Sequence, residues 1–332
     1  MMTTTTTMLA ATQDRYGDAD VLSVRATERP VVGDGEVLIA VRAAGCGPDV
    51  MHVMTGKPYF ARTMLGLTKP KQTTAGRDVA GTVVAVGDGV EGFAVGDEVY
   101  GAATSGSFAE YAVAPVTQLT HKPAALSFDE AAGVPVSGGT ALQALQKAGV
   151  GAGSRVLVIG AGGGVGSFAV QIAVAMGAVV TGVSSAAKAS QVRELGASDV
   201  IDYARQEIDR DGAVYDAIID TAGNRKVSLL RRALKPGGTL VIVGGESAGG
   251  ALLGGFLRAL LLPLRSPFAG THTLIGLIST ESAESYTELA RLADAGQLRP
   301  LIGATYPLAQ AADAVRAVST GHATGKVVVT VA

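Results

Sequence analysis

One stretch constrains this chain more than any other. Arg155–Gly160 (RVLVIG) is an unbroken apolar run that enters AGGGVG and leaves it into SFAVQIAVAMG, so a strand meets a glycine-rich turn and then a helix. The spacing is Ala161-x-Gly163-x-x-Gly166. Small residues let the chain turn sharply, Gly163 lets backbone approach a pyrophosphate, and Gly166 lets the helix pack close to its strand with its N-terminus facing the anion. With the strand AVVTGV following, the context predicts a dinucleotide site; a purely structural glycine turn is the competing reading.

The same stretch sets a trap. Val156–Ala187 is uncharged and largely apolar, and hydropathy alone would make it a membrane span. Seven glycines, four of them within Gly160–Gly164, would break such a helix but suit a turn. A second apolar run, ALLGGFLRALLLPLRSPF from Ala251, is interrupted by Arg258, Pro263 and Arg265 and reads as a buried or interfacial helix. No membrane partner is expected.

Strands and helices alternate on both sides of the turn. Ser127 with Glu130 forms a capping box ahead of an Ala-rich helix. Beyond it, RVLVIG, AVVTGV, DVI from Asp199, YDAIID from Tyr215 and GTLVIVG from Gly238 are apolar runs of the kind a doubly covered parallel sheet needs. The pattern is α/β, a doubly wound parallel sheet. The first third differs: EVLIAVRAAG from Glu36, DVAGTVVAVG from Asp78, DEVYG from Asp97 and FAEYAVAP from Phe108 are short runs cut by Gly, Pro and Asp, as in an antiparallel barrel-like domain. The tail, with THTLIGLIS from Thr271 and KVVVTVA from Lys326, does not extend the parallel sheet and is assigned back to the first domain. The expected partition is residues 1–125, a nucleotide domain over 126–268, and a return over 269–332.

Charge and cysteine content narrow the partners. With 27 Lys+Arg against 29 Asp+Glu and no run of like charges, nothing draws the chain to nucleic acid, which leaves a small molecule. The single cysteine, Cys46, excludes an intramolecular disulfide and a structural zinc lobe, and fits a reducing cytoplasm. The N-terminal MMTTTTTMLAATQDRYG has no secretory pattern, and its Thr run reads as a frayed tail. At the end of the second strand, GVSSAAK offers Ser184, Ser185 and Lys188, with no Asp or Glu between Gly182 and Gln191. An acid there would repel a 2′-phosphate, so NADP is favoured over NAD. Taken alone, Lys188 would read as a solvated first-turn residue.

Seven segments taken together resemble the medium-chain dehydrogenase/reductase superfamily, in its zinc-independent quinone oxidoreductase-like branch. They are GEVLIAVRAAG, GRDVAGTVVAVGDGVEGFAVGDEVYG, GSFAEYAVAP, AAGVPVSGGTAL, VIGAGGGVGSFAVQIA, ELGASDVIDY and GKVVVTV, in the expected order along nearly the whole chain. The resemblance implies a Rossmann domain plus a GroES-like β-rich catalytic domain built from both chain ends, with the site in the cleft between them. Zinc members pair Gly-Cys-Gly with a later Gly-His-Glu. This chain keeps Gly45-Cys46-Gly47 but has Arg77 and Asp78 in place of that His and Glu, and His52, His121, His272 and His322 form no ligand pair. No metal is expected, and Cys46 reads as a small buried hydrophobe.

Carried over by resemblance, Thr140 contacts the nicotinamide, Gly163, Gly164, Val165 and Gly166 hold the pyrophosphate, and Ser184, Ser185 and Lys188 face the 2′-phosphate. Tyr203 lies on the adenosine side, and Gly244 and Gly245 approach the nicotinamide ribose. Tyr59 either donates to a substrate oxygen or packs at the rim; His52 is a weaker candidate. Gly47 stands where quinone reductases carry a polar residue, and the long segment between Gly56 and Asp78 is either a lid or a solvated loop. A homodimer pairing edge strands is also implied, with Thr271–Ser279 as the candidate edge. Without a Lewis acid, alcohol oxidation is disfavoured, and hydride delivery from NADPH to an electrophilic quinone or α,β-unsaturated carbonyl is the leading expectation. An NAD(P)-dependent alcohol dehydrogenase or carbonyl reductase, and a non-catalytic NADPH-binding sensor, are the alternatives.

Overall fold

The computed structural model describes residues 6–243, 262, 270–321 and 324–331. The chain forms two compact units, Thr140–Thr280 and a second built from both ends, Met1–Gly139 with Glu281–Ala332. Both boundaries fall later in the chain than the expected 126 and 268.

In Thr140–Thr280 the described residues make a six-stranded parallel sheet. Its order is Asp199–Asp202, Val179–Ser184, Arg155–Ile159, Tyr215–Asp220, Leu234–Val243, Thr273–Leu277. Numbered along the chain this is 3-2-1-4-5-6, the doubly wound order whose direction reverses beside the first strand. Val156 to Ile159 are buried on both faces, because helices cover the sheet above and below. The helix after the glycine turn, Gly164–Ala175, buries every residue from Gly166 to Ala173, which is why its sequence has no polar stripe.

The last strand corrects the sequence reading. Thr273–Leu277 pairs in parallel with Leu234–Val243, Thr239 opposite Thr273 through Val243 opposite Leu277, so the Thr271–Ser279 segment closes the nucleotide sheet instead of returning to the first domain. Parallel partners are joined by long crossovers, so nothing local in a strand names its neighbour. Among the described residues the strand lies at the edge of the order. The apolar run from Ala251, apart from the buried Leu262, lies outside the described residues, as do Gly244, Gly245 and His322.

The other unit holds a seven-stranded sheet. Ile302–Pro307, Lys326–Thr330, Glu36–Cys46, Asp78–Val86, Glu98–Ala102 and Leu119–His121 follow in that order, with Tyr111–Pro115 added against Glu36–Cys46. Val327 sits opposite Cys46, so the two chain ends share one sheet as expected. Its core gathers Val37, Ile39, Val79, Val83, Val99, Phe108, Val327 and Val329. Thr7, read as part of a frayed tail, opens the strand Thr7–Thr12, which pairs with Ser23–Glu28. Two helices interrupt the β-rich third where none was expected, Pro48–Thr55 and Arg62–Leu65. The first starts on Pro48 and stops at Gly56, whose φ of 60° a side chain would strain. The Ser127–Glu130 capping box forms as expected. Among the described residues, no helix is long and apolar enough to cross a membrane.

Candidate active site

The glycine turn sits at the carboxyl end of Arg155–Ile159, where open α/β sheets bind ligands. A Cβ on Gly166 would collide with the Gly160 carbonyl, so this glycine sets how closely the helix approaches its strand. A Cβ on Gly163 would meet Gly160 O at 3.3 Å and nothing else within 4 Å. Gly163 caps the helix without any side chain, and the first N–H groups, of Gly164, Val165 and Gly166, are left for an anion.

The neighbouring strand end converges on the same place. Ser184 is buried and donates to Ser185 O at 3.1 Å, while Tyr203 N donates to Ser184 O at 3.2 Å, which brings the exposed Tyr203 ring beside the strand end. Lys188 lays its stem over the turn, 2.9 Å from where a Gly162 Cβ would stand. Burial holds its ammonium below the usual lysine range, so an anion there would gain more than at a solvated lysine. A cation and two hydroxyls thus gather at this strand end, with Asp202 opposite Ser184 in the neighbouring strand.

Thr140 is buried and donates from Oγ1 to Ser279 Oγ at 2.8 Å, just beyond the carboxyl end of Thr273–Leu277. One helical turn on, Gln143 donates to Thr280 O at 2.7 Å and accepts from Thr280 N at 3.2 Å. The sequence reading missed Ser279 and Gln143, because only the strand's true position in the sheet brings them to Thr140.

The end-built unit carries the remaining candidates. Cys46 is buried, and burial pushes its thiol up to about 12, so it is an unreactive apolar filler, as read. Arg77 and Asp78 are both claimed by ion pairs. Arg77 Nη2 meets Glu281 Oε2 at 2.9 Å, and Asp78 Oδ2 meets Lys326 Nζ at 3.2 Å, with both side chains of the second pair almost wholly buried, at 1% and 3% exposure. Lys326 also donates to Ser137 Oγ at 3.1 Å, and Asp78 Oδ1 accepts from Val136 N at 2.9 Å. Burial outweighs the pull of Lys326 and raises Asp78 to about 6. At Gly47 a Cβ would lie 2.5 Å from Asp49 Oδ1 and 3.4 Å from Lys326 Nζ, so the Asp49 carboxylate occupies the space a larger residue would fill. Among the described residues, no group of three or more His, Cys, Asp or Glu side chains is placed to hold a metal ion.

Tyr59 and His52 both sit in this unit. Arg62 lies 4.3 Å from the Tyr16 ring centroid and 4.7 Å from that of Tyr59, so Tyr59 is one face of a cation–π stack. His52 Nδ1 is 2.9 Å from Lys57 O, at the end of its own helix. Close by is a cavity of about 260 Å³, lined by Asp49, Val53, Met54, Leu65, Gln72 and Arg77 among others.

The chain is similar to known proteins over almost its whole length. Residues 33–124 match the alcohol dehydrogenase GroES-like domain, and residues 195–329 match the zinc-binding dehydrogenase family. The mitochondrial NAD(P)H oxidoreductase RTN4IP1 of Danio rerio is 31% identical, over 98% of this chain and 92% of its own length. The 2-methylene-furan-3-one reductase of Solanum lycopersicum is 32% identical, over 95% and 76%. The solved quinone oxidoreductase of Coxiella burnetii superposes with a TM-score of 0.83 at 28% identity, covering 98% of this chain and all of that one. The chain belongs to the medium-chain dehydrogenase/reductase superfamily, in its quinone oxidoreductase-like branch, with a Rossmann domain and a GroES-like domain. It is an oxidoreductase that uses a nicotinamide cofactor.

Proposed function

We propose that this oxidoreductase carries hydride from NADPH to a quinone or an α,β-unsaturated carbonyl, without zinc. The observation that carries the reading is the fate of the two positions where zinc relatives hold His and Glu. Arg77 is paired with Glu281 and Asp78 with the buried ammonium of Lys326. A second cation beside Lys326 would meet repulsion at short range, and the Cys46 thiol is held protonated. This donor set does not fit a zinc ion, so no step is assigned to one.

NADPH would supply the hydride. The chain's own part is to hold it. Gly163 to Gly166 offer backbone N–H groups to the pyrophosphate, Lys188 and Ser185 face the 2′-phosphate, and Ser184 and Tyr203 border the ribose and adenine. Thr140, fixed by Ser279, presents its hydroxyl to the carboxamide end, where Gly244 and Gly245 also belong by resemblance. Gln118 lines the cavity and is the amide donor assigned to the oxygen on which charge develops as hydride arrives, because Gln72, Thr104 and Arg77, which line it too, already bond Thr74 O, Val113 O and Glu281. The edge strand Thr273–Leu277 would pair two copies of the chain into a homodimer.

The NADPH assignment is tested by Lys188→Ala. Titration of cofactor fluorescence should give at least a tenfold weaker Kd for NADPH and little change for NADH, a loss of about 1.4 kcal/mol or more. Equal weakening of both would remove Lys188 from the phosphate site.

A further inference from the structure

The segment between Gly56 and Arg77 has more to do than close a loop. No Asp or Glu occurs from Val50 to Arg77, while Lys57, Arg62, Lys69, Lys71 and Arg77 do, in a chain of net charge -2. Lys57, Lys69 and Lys71 make no ion pair among the described residues, and the carboxylate that feels Lys69, Asp14, is already held by both Arg25 nitrogens at 2.6 and 2.8 Å. Within the same segment, Tyr59, Phe60, Met64 and Leu67 supply four of the twelve large hydrophobic side chains most exposed among the described residues. Met64 is 78% exposed and Leu67 72%. Apolar side chains left in water beside unneutralised cations match an amphiphile of negative charge.

The segment is braced, so its surface keeps one shape. Arg62 stacks between Tyr16 and Tyr59 and donates to Gly56 O at 3.1 Å and Thr55 O at 3.3 Å, and Tyr16 donates to Gly66 O at 2.6 Å. It also forms one wall of the cavity. Leu65 lines that space, Lys71 N donates to Leu65 O at 2.8 Å, and Gln72, the residue after Lys71, lines it too. At about 260 Å³ the cavity is smaller than the usual 300–1,000 Å³ of sites that enclose a drug-sized ligand. A ring or a short enone fills it, and the Leu65 in its wall is followed closely in the chain by the exposed Leu67 and preceded by the exposed Met64.

We propose that residues 57–71 are a subsite for the tail of the substrate: a small electrophilic head enters the cavity, an apolar chain crosses Met64 and Leu67, and a terminal anion meets Lys69 and Lys71. This names the substrate class within the reductase reading and rests on that reading for the head alone. A carboxylate of a free long-chain compound and the headgroup of an anionic lipid share this chemistry; the source assigned here is the free compound.

The test separates tail recognition from turnover. Binding of dodecanoate and of dodecanol to the full chain is measured by calorimetry for the wild type and for Lys69→Glu/Lys71→Glu. Exposed ion pairs are individually weak, so reversing two charges should weaken dodecanoate about tenfold and leave dodecanol within twofold. Met64→Ser/Leu67→Ser should weaken both. In turnover, a long-chain enone with a terminal carboxylate should exceed its methyl ester in kcat/KM about tenfold, and the charge reversal should erase that ratio. The subsite is overturned if dodecanoate and dodecanol respond alike to the charge reversal, or if neither binds. It is equally overturned if the variants change only sedimentation with phosphatidylglycerol vesicles, which would make the surface a bilayer contact. Absence of turnover with every enone would defeat the reductase reading, while the calorimetry would still decide the subsite.

Discussion

Asp78→Asn removes one charge from the buried pair and little else. The Asn side-chain oxygen can still accept from Val136 N, so the helix beginning at Pro135 keeps its contact, but Lys326 Nζ loses its counter-charge at 3% exposure. Breaking a buried ion pair on one side costs about 3–5 kcal/mol, because the remaining charge loses its counter-ion where water cannot replace it. For a unit of this size that is a fall in Tm of roughly 10 °C or more. Asp78→Asn/Lys326→Met leaves no orphan charge and should recover most of the loss, so the cycle should show a strong favourable coupling. Thermal melts of the four proteins at pH 7 measure the cycle. Additive single losses would refute the reasoning.

Two further substitutions test the site. Gly163→Val sets a Cβ 3.3 Å from Gly160 O, a tight contact short of a collision, so circular dichroism should stay native while both NADPH and NADH binding fall beyond detection. Retained binding would put the phosphate turn elsewhere. Tyr59→Phe keeps the ring on which Arg62 stacks, and kcat should stay within about twofold of wild type. A tenfold loss of kcat without a change in KM would restore the hydroxyl as a proton donor.

What the sequence disclosed was local. The glycine turn, the strands of the nucleotide sheet and the Ser127–Glu130 box are each written in a few consecutive residues, and all form. The helix Pro48–Thr55 was hidden because the strand pattern around it is strong, although Pro48 and Gly56 mark its ends. The last strand of the sheet was misplaced because parallel pairing depends on a partner more than thirty residues away in the case of Val243 and Leu277. Asp78 and Lys326 are 248 residues apart, and each alone looks like an ordinary charge at a strand end. Only the sheet that joins the two chain ends makes them a pair. Tyr59 was legible as an aromatic at the right place, but its stacking on Arg62 follows from a turn whose shape the sequence does not spell out.

The central claim is hydride transfer from NADPH without a metal, and one assay bears on it directly. The purified protein, stripped with a chelator and checked for zinc by elemental analysis, is given NADPH or NADH and a panel of quinones, enones, aldehydes and ketones while cofactor oxidation is followed by absorbance. Turnover of quinones or enones with NADPH, undiminished by stripping and faster than with NADH, is the predicted result. Activity confined to aldehydes and ketones, or lost on stripping and regained with zinc, would contradict the account.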